Sequence, residues 1–172
     1  MALFHRREDP PAIEGLERDE RVVSWADTTD GQVVAATQFG LWWPGPRRIP
    51  WQHIDKAVWR DGVLTIIEAD VVDDLLLVDR APVYATLARP RDLPPTVRKR
   101  VEANIVRTEL LSVPGGAVRF VARRQPGRDG VGWWARLEAG TPDTPTVRAA
   151  IAARLAMLRG HPGGGATDSG GR

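Results

Sequence analysis

Six basic residues crowd positions 89–107: Arg89, Arg91, Arg98, Lys99, Arg100 and Arg107. Guanidinium groups present planar forks that fit phosphate oxygens, so such a run can bind phosphates of a lipid, a nucleotide or RNA. Asp92 and Glu102 interrupt it, and the same spacing also describes the solvated face of a helix. The aromatic residues make a second constellation. The stretch Phe39 to Trp59, FGLWWPGPRRIPWQHIDKAVW, holds Trp42, Trp43, Trp51 and Trp59 of the chain's 7 tryptophans. Trp42-Trp43 and Trp133-Trp134 are adjacent, and adjacent residues of a strand point to opposite faces. One of each pair belongs to a core. The other looks outward, where it can stack a base or anchor a partner, or inward to a second layer. Trp42, Trp43 and Trp134 are therefore the candidate partner contacts.

Other constellations promise less. Glu68, Asp70, Asp73 and Asp74 could hold a hard cation, but the central glycine and final glutamate of an EF-hand loop are missing. A solvated hairpin end is the simpler explanation. Ser24, Ser112 and Ser169 have no neighbouring motif, and His5, His53 and His161 lie far apart, without metal-ligand spacing. His53 reads as a strand residue. GRDGVG at 127–132 joins two strands rather than opening a helix, so it does not cradle phosphate. The expectation is a protein that is not an enzyme, with no catalytic residues, no cofactor and no metal.

Composition narrows the classes further. The chain has 172 residues, 42% hydrophobic and 27% charged, a globular balance. Net charge is only +2 despite a sequence pI near 9.6, so nothing global demands nucleic acid. Lys56 and Lys99 are the only lysines among 24 basic residues, a bias that matches a GC-rich genome or phosphate-reading arginines. The absence of cysteine removes disulfides, thiolate catalysis and iron–sulfur sites. The start MALFHRREDP lacks a signal-peptide core, and no run reaches the ~18 apolar residues of a membrane span. A cytoplasmic protein without integral membrane association is expected.

The elements that must position these residues follow from periodicity. Residues 1–18 read as an irregular arm with a short turn at Ile13 to Leu16. Short strands follow at Arg21–Ala26, Gln32–Gln38, Gly40–Trp43, Arg47–Pro50 with a bent continuation to Trp59, Val63–Glu68 and Leu75–Val78. Asp30-Gly31, Pro44-Gly45-Pro46 and Asp61-Gly62 supply the turns. Residues 80–95, with Pro82, Pro90, Pro94 and Pro95, read as connection. A helix capped by Thr96 carries Val97, Val101 and Ile105 on one face. Strands return at Thr108–Val113, Ala117–Arg124 and Trp133–Glu138. A helix capped by Asp143 or Thr144 follows, with the stripe Val147, Ile151, Leu155 and Leu158 and its end at Gly160. Residues 160–172 read as a flexible tail.

The run ERVVSWA, GQVVAATQFGLWW, RRIPWQHIDKAVW, GVLTII resembles the bacterial pleckstrin-homology-like (PH-like) domains. The matching residues are Val34, Ala36, Thr37, Gly40, Leu41, Arg48, Ile49, Pro50, Trp51 and Ile54, and the likeness is best over residues 20–68. The chain also resembles a family of actinobacterial proteins of about this length. The resemblance implies a curled antiparallel sheet closed by a helix, used for binding peptides or lipids or for self-association, and it brings no catalytic residues.

The expected fold is therefore α+β: a PH-like, partly open barrel closed by a helix over 19–106, with a β-β-β-α extension over 107–159 packed on the same unit. The expected function is a binding or scaffolding module for a protein partner or for self-association. The alternatives are an anion-binding module that reads phosphates of lipid headgroups or nucleic acid through the basic helix, and a small cofactor-free enzyme using carboxylates.

Overall fold

The computed structural model describes residues 8–125 and 129–160. Positions 1–7 of the expected arm, His5, positions 127–128 of the glycine-rich loop, His161 and positions 161–172 of the expected tail lie outside the described residues. The fold is α+β: among the described residues there are eleven strands in a large mixed sheet that does not close, and two α-helices. Among the described residues no helix is long and apolar enough to cross a membrane. The chain divides into two compact units. Unit 1 takes the described residues up to Asp70, Asp79–Ile105 and those of 124–130. Unit 2 takes Val71–Val78, Val106–Arg123 and those from Val131 onward. The chain passes between the two units more than once.

Unit 1 begins with a meander: β1 (Val22–Thr28), β2 (Val33–Thr37), β3 (Gly40–Trp43) and β4 (Arg47–Pro50). A 3-10 turn, Trp51–His53, then bends the chain into β5 (Ile54–Arg60), so Trp51 to Trp59 is not a simple continuation of β4. β6 (Val63–Val72) pairs with β5 through the turn Asp61-Gly62. Both turn residues have positive φ, 51° and 78°, which matches the right-handed twist of a two-residue hairpin. β8 (Val83–Arg89) lies between β1 and β6, and every pairing of these strands is antiparallel.

The strand β8 corrects the expectation that 80–95 is connection. Pro82 and Pro90 bracket it and none lies within it, so the ladder loses no donor. The helix also starts earlier than Thr96. α1 is Leu93–Asn104 with Asp92 at the N-cap, and Pro94 and Pro95 fall in its first turn, where the missing N–H groups have no partner to lose. Val97 and Val101 are buried as the spacing predicts, but Ile105 has already turned into the next strand and is exposed. The buried stripe continues instead at Asn104.

Leu93, Val97 and Val101 of α1 close one face of the sheet over Ala26, Val34, Ala36, Leu41, Trp43, Ile49, Trp51 and Ile54. The opposite face is covered by the N-terminal arm. Trp42 packs under Gly15, 3.1 Å from a Cβ built there, and donates its indole Nε1–H to Glu20 Oε1 at 2.9 Å. Gly40 sits where a side chain cannot go: a Cβ there would overlap the Ile49 carbonyl oxygen on the paired strand. Gly40→Ala is expected to lower stability by about 1–3 kcal/mol through overpacking, read as a lower Tm.

Unit 2 contains β7 (Leu76–Asp79), β9 (Ile105–Val113), β10 (Gly116–Arg124), β11 (Val131–Leu137) and α2 (Pro145–Gly160). Unit 1 claims Asp79, Ile105 and Arg124 at their ends. The order is β7-β11-β10-β9. β11 runs parallel to β7, with Ala135 opposite Leu76, so a sheet expected to be mainly antiparallel is mixed. Val118, Phe120 and Ala122 alternate inward on β10 and meet Val147, Ile151 and Leu155 of α2. Thr144 caps α2: its Oγ1 accepts the Val147 N–H at 3.2 Å, and Pro145 opens the first turn.

Candidate functional site

The six basic residues of 89–107 do not form one surface. Arg89 ends β8 and Arg91 follows it, and both meet the carboxylates of Glu8 and Asp27, at 3.6 and 3.6 Å for Arg89 and 2.6 and 3.3 Å for Arg91. The Arg91 guanidinium also lies 3.5 Å from the centroid of the Trp25 ring. Arg98 pairs with Glu102 one turn along α1 at 2.8 Å. Arg107 belongs to unit 2 and pairs with Glu109 at 3.0 Å. Lys99 and Arg100 remain, with no carboxylate within ion-pairing distance among the described residues.

The tryptophan candidates separate similarly. Trp42 and Trp43 are 7% and 8% exposed, one beneath the arm and one in the core, so the arm is the second layer for the outward member. Trp134 is half-buried on β11. The acidic group is dispersed. Glu68 is buried and takes both guanidinium nitrogens of Arg47, at 3.0 and 2.5 Å, with Arg80 at 3.6 Å. Hydrogen bonds from Arg47 hold its carboxyl below the usual range, against the opposing effect of burial. Asp70 pairs with Arg80 at 3.1 Å and Asp73 with Arg148 at 2.6 Å. Among the described residues no group of three or more His, Cys, Asp or Glu is placed to hold a metal ion.

One cleft of unit 1 gathers polar groups that are not spent on each other. It has a volume of about 650 Å³ and is lined by Arg100 and Asn104 of α1, Trp51 of the 3-10 turn, Gln38 after β2, and Arg124 and Asp129. Arg100 and Asn104 are four residues apart and share a helix face. Arg124, like Arg100, has no carboxylate partner among the described residues. The floor is rigid: Trp51 is buried and donates its Nε1–H to the Thr37 carbonyl at 3.0 Å.

Asn104 is the informative residue. It is 5% exposed, and its Nδ2 donates to the Arg124 carbonyl at 2.8 Å. That acceptor fixes the amide orientation, because only the nitrogen end can serve it. Among the described residues the Oδ1 is then a buried acceptor with no partner. An unsatisfied buried acceptor costs about 1–3 kcal/mol, and a donor that reached it would recover that cost. The ionisable groups lining the cleft are Arg100, Arg124 and Asp129. The cleft is lined by two guanidinium groups and a carboxylate, with a buried acceptor on Asn104. It offers no nucleophile paired with a base.

Sequence reasoning selected Arg100 but missed Arg124 and Asn104. Asn104 carried a signal, since it extends the apolar spacing of Val97 and Val101 with a polar group. Arg124 carried none, because it reaches Asn104 only through the fold. No family model, no curated protein and no solved structure matches this chain.

Proposed function

We propose that the protein is a binding module for a small anion that also carries hydroxyl or amine donors, such as a phosphorylated sugar, and that unit 1 holds the site. The observation that carries the reading is the pair Arg100 and Arg124, unpartnered by carboxylates among the described residues, beside the Oδ1 of Asn104, which also lacks a partner among them. The arginines take the phosphate or carboxylate through charge-assisted forks, and Asn104 and Asp129 accept the ligand's donors. The two guanidinium charges exceed the opposing charge of Asp129 and the roughly half-unit negative end of the helix dipole. An extended phosphate surface fits less well, because Arg89, Arg91, Arg98 and Arg107 are each engaged by carboxylates. The PH-like likeness of residues 20–68 belongs to the same proposal and is supported by the β1–β4 meander and the helix laid across it. So does a cytoplasmic, non-enzymatic role, with which the cysteine-free sequence agrees.

Calorimetric titration separates the ligand sources. Ribose 5-phosphate is expected to bind more tightly than inorganic phosphate, and Arg100→Ala and Arg124→Ala each to weaken it about tenfold. Anionic vesicles and a short single-stranded oligonucleotide are expected to show only weak association that disappears with added salt. Tight vesicle or oligonucleotide binding unaffected by Arg124→Ala, with no binding of either small phosphate, would sink the cleft reading.

A further inference from the structure

The strand β9 ends the sheet of unit 2, and β10 is its one neighbour among the described residues. Leu111 and Val113 face the core beneath α2, while Val106 and Leu110 on the opposite parity are 48% and 64% exposed. Protein sheets guard such edges with proline, lysine, bulges or short length. The segment Val106-Arg107-Thr108-Glu109-Leu110 has no proline, lysine or glycine, and the strand is nine residues long.

The order of residues along this edge is self-complementary. An antiparallel copy of the strand, related by a two-fold axis through Thr108, sets Val106 opposite Leu110 and Arg107 opposite Glu109. Each of these pairs occurs twice. Residues directly opposite share a face, so the exposed apolar side chains meet each other and the charges meet opposite charges. Arg107 and Glu109 are already ion-paired within one chain at 3.0 Å, and Arg154 of α2 also holds Glu109, so the two strands together set each Arg107 between two carboxylates. We infer that β9 is a homodimerisation edge, paired antiparallel to a second copy of this chain in the register centred on Thr108. The inference rests on unit 2 alone and is independent of the cleft in unit 1. A strand pair buries less than the ~1,200 Å² of a standard stable interface, so the dimer depends on protein concentration.

The chain has no cysteine, which makes a single introduced thiol a register probe. Thr108→Cys places two thiols face to face on the axis. Leu110→Cys or Val106→Cys places them four positions out of register, roughly 13 Å apart, beyond disulfide reach. Under mild oxidation Thr108→Cys is expected to give covalent dimer at least about tenfold faster than either neighbour. Adding Arg107→Glu, which sets Glu against Glu109 of the second copy, is expected to slow that cross-linking about tenfold. Equal rates at the three positions would mean random collision and overturn the inference. So would a Thr108→Cys rate indifferent to Arg107→Glu. Sedimentation of the unsubstituted chain is expected to show a monomer–dimer equilibrium, and a monomer at all accessible concentrations would also overturn it.

Discussion

Glu20→Ala is expected to lower stability by about 3–5 kcal/mol, the range for removing one partner of a buried charged network. The Glu20 side chain is fully shielded from solvent, and three side chains and the Glu17 backbone N–H converge on it. Thr37 Oγ1 donates at 2.6 Å, Trp42 Nε1 at 2.9 Å and Arg48 at 2.7 Å. Alanine leaves the Trp42 indole N–H buried without an acceptor, reduces the Thr37 hydroxyl to its longer bond to the Gly40 carbonyl at 3.2 Å, and releases the hold of the arm on β3. The variant should melt well below the parent, with the loss appearing in equilibrium urea unfolding. The same residue sets an acid limit. Burial raises the Glu20 pKa, but hydrogen bonds from Thr37, Trp42 and the Glu17 backbone, with the Arg48 charge, outweigh it, and the net shift is below the ordinary 4.5. The unfolded chain therefore binds this proton more readily than the folded one. The contribution is complete above the ordinary carboxylate value and drains as pH falls through the lowered folded value. Glu20→Ala should flatten the fall in Tm between about pH 5 and pH 3. An unchanged acid slope would show that Glu20 is not the group responsible.

Phe120→Ala is expected to cost about 3–5 kcal/mol by opening a cavity in unit 2. Phe120 is fully buried on the face of β10 that meets Val147, Ile151 and Leu155. Its neighbours belong to a sheet on one side and a helix on the other, and neither can collapse into the space without breaking backbone pairing. Phe120→Leu keeps most of the apolar volume and should cost about 1–2 kcal/mol. Thermal unfolding of both variants gives the comparison. A loss under about 1 kcal/mol for alanine would mean that α2 does not pack on β10 as described.

The strands and helices were largely legible because their periods are local. Val118, Phe120 and Ala122 alternate, and Val147, Ile151 and Leu155 recur at helical spacing, so each announces its own burial. β8 was misread for a definite reason. Val83, Ala85 and Leu87 alternate with Tyr84, Thr86 and Ala88, but the prolines around them were counted as if they lay inside. Pro94 and Pro95 misled at the start of α1 in the opposite sense, as breakers where they are initiators. Other features have no local signature. Glu20 reads as one more charge in a charged arm, and only the folded chain shows it buried against residues 17 to 28 positions away. The cleft is similar: Arg100 and Asn104 share a helix turn, but Arg124 joins them across the fold.

The parallel pairing of β7 and β11 has a consequence for how the chain emerges from a ribosome. Leu76 acquires its partner Ala135 only after roughly sixty further residues have been made. At ordinary rates of synthesis that interval is about 3–12 s. During it Leu75 and Leu76, half-buried and buried in the finished protein, lack the β11 and α2 side chains that pack on them. Translation speed through codons 78–135 thus sets how long a sticky apolar edge is on offer to other nascent chains. Slowing it should lower soluble yield even though the finished fold is unchanged.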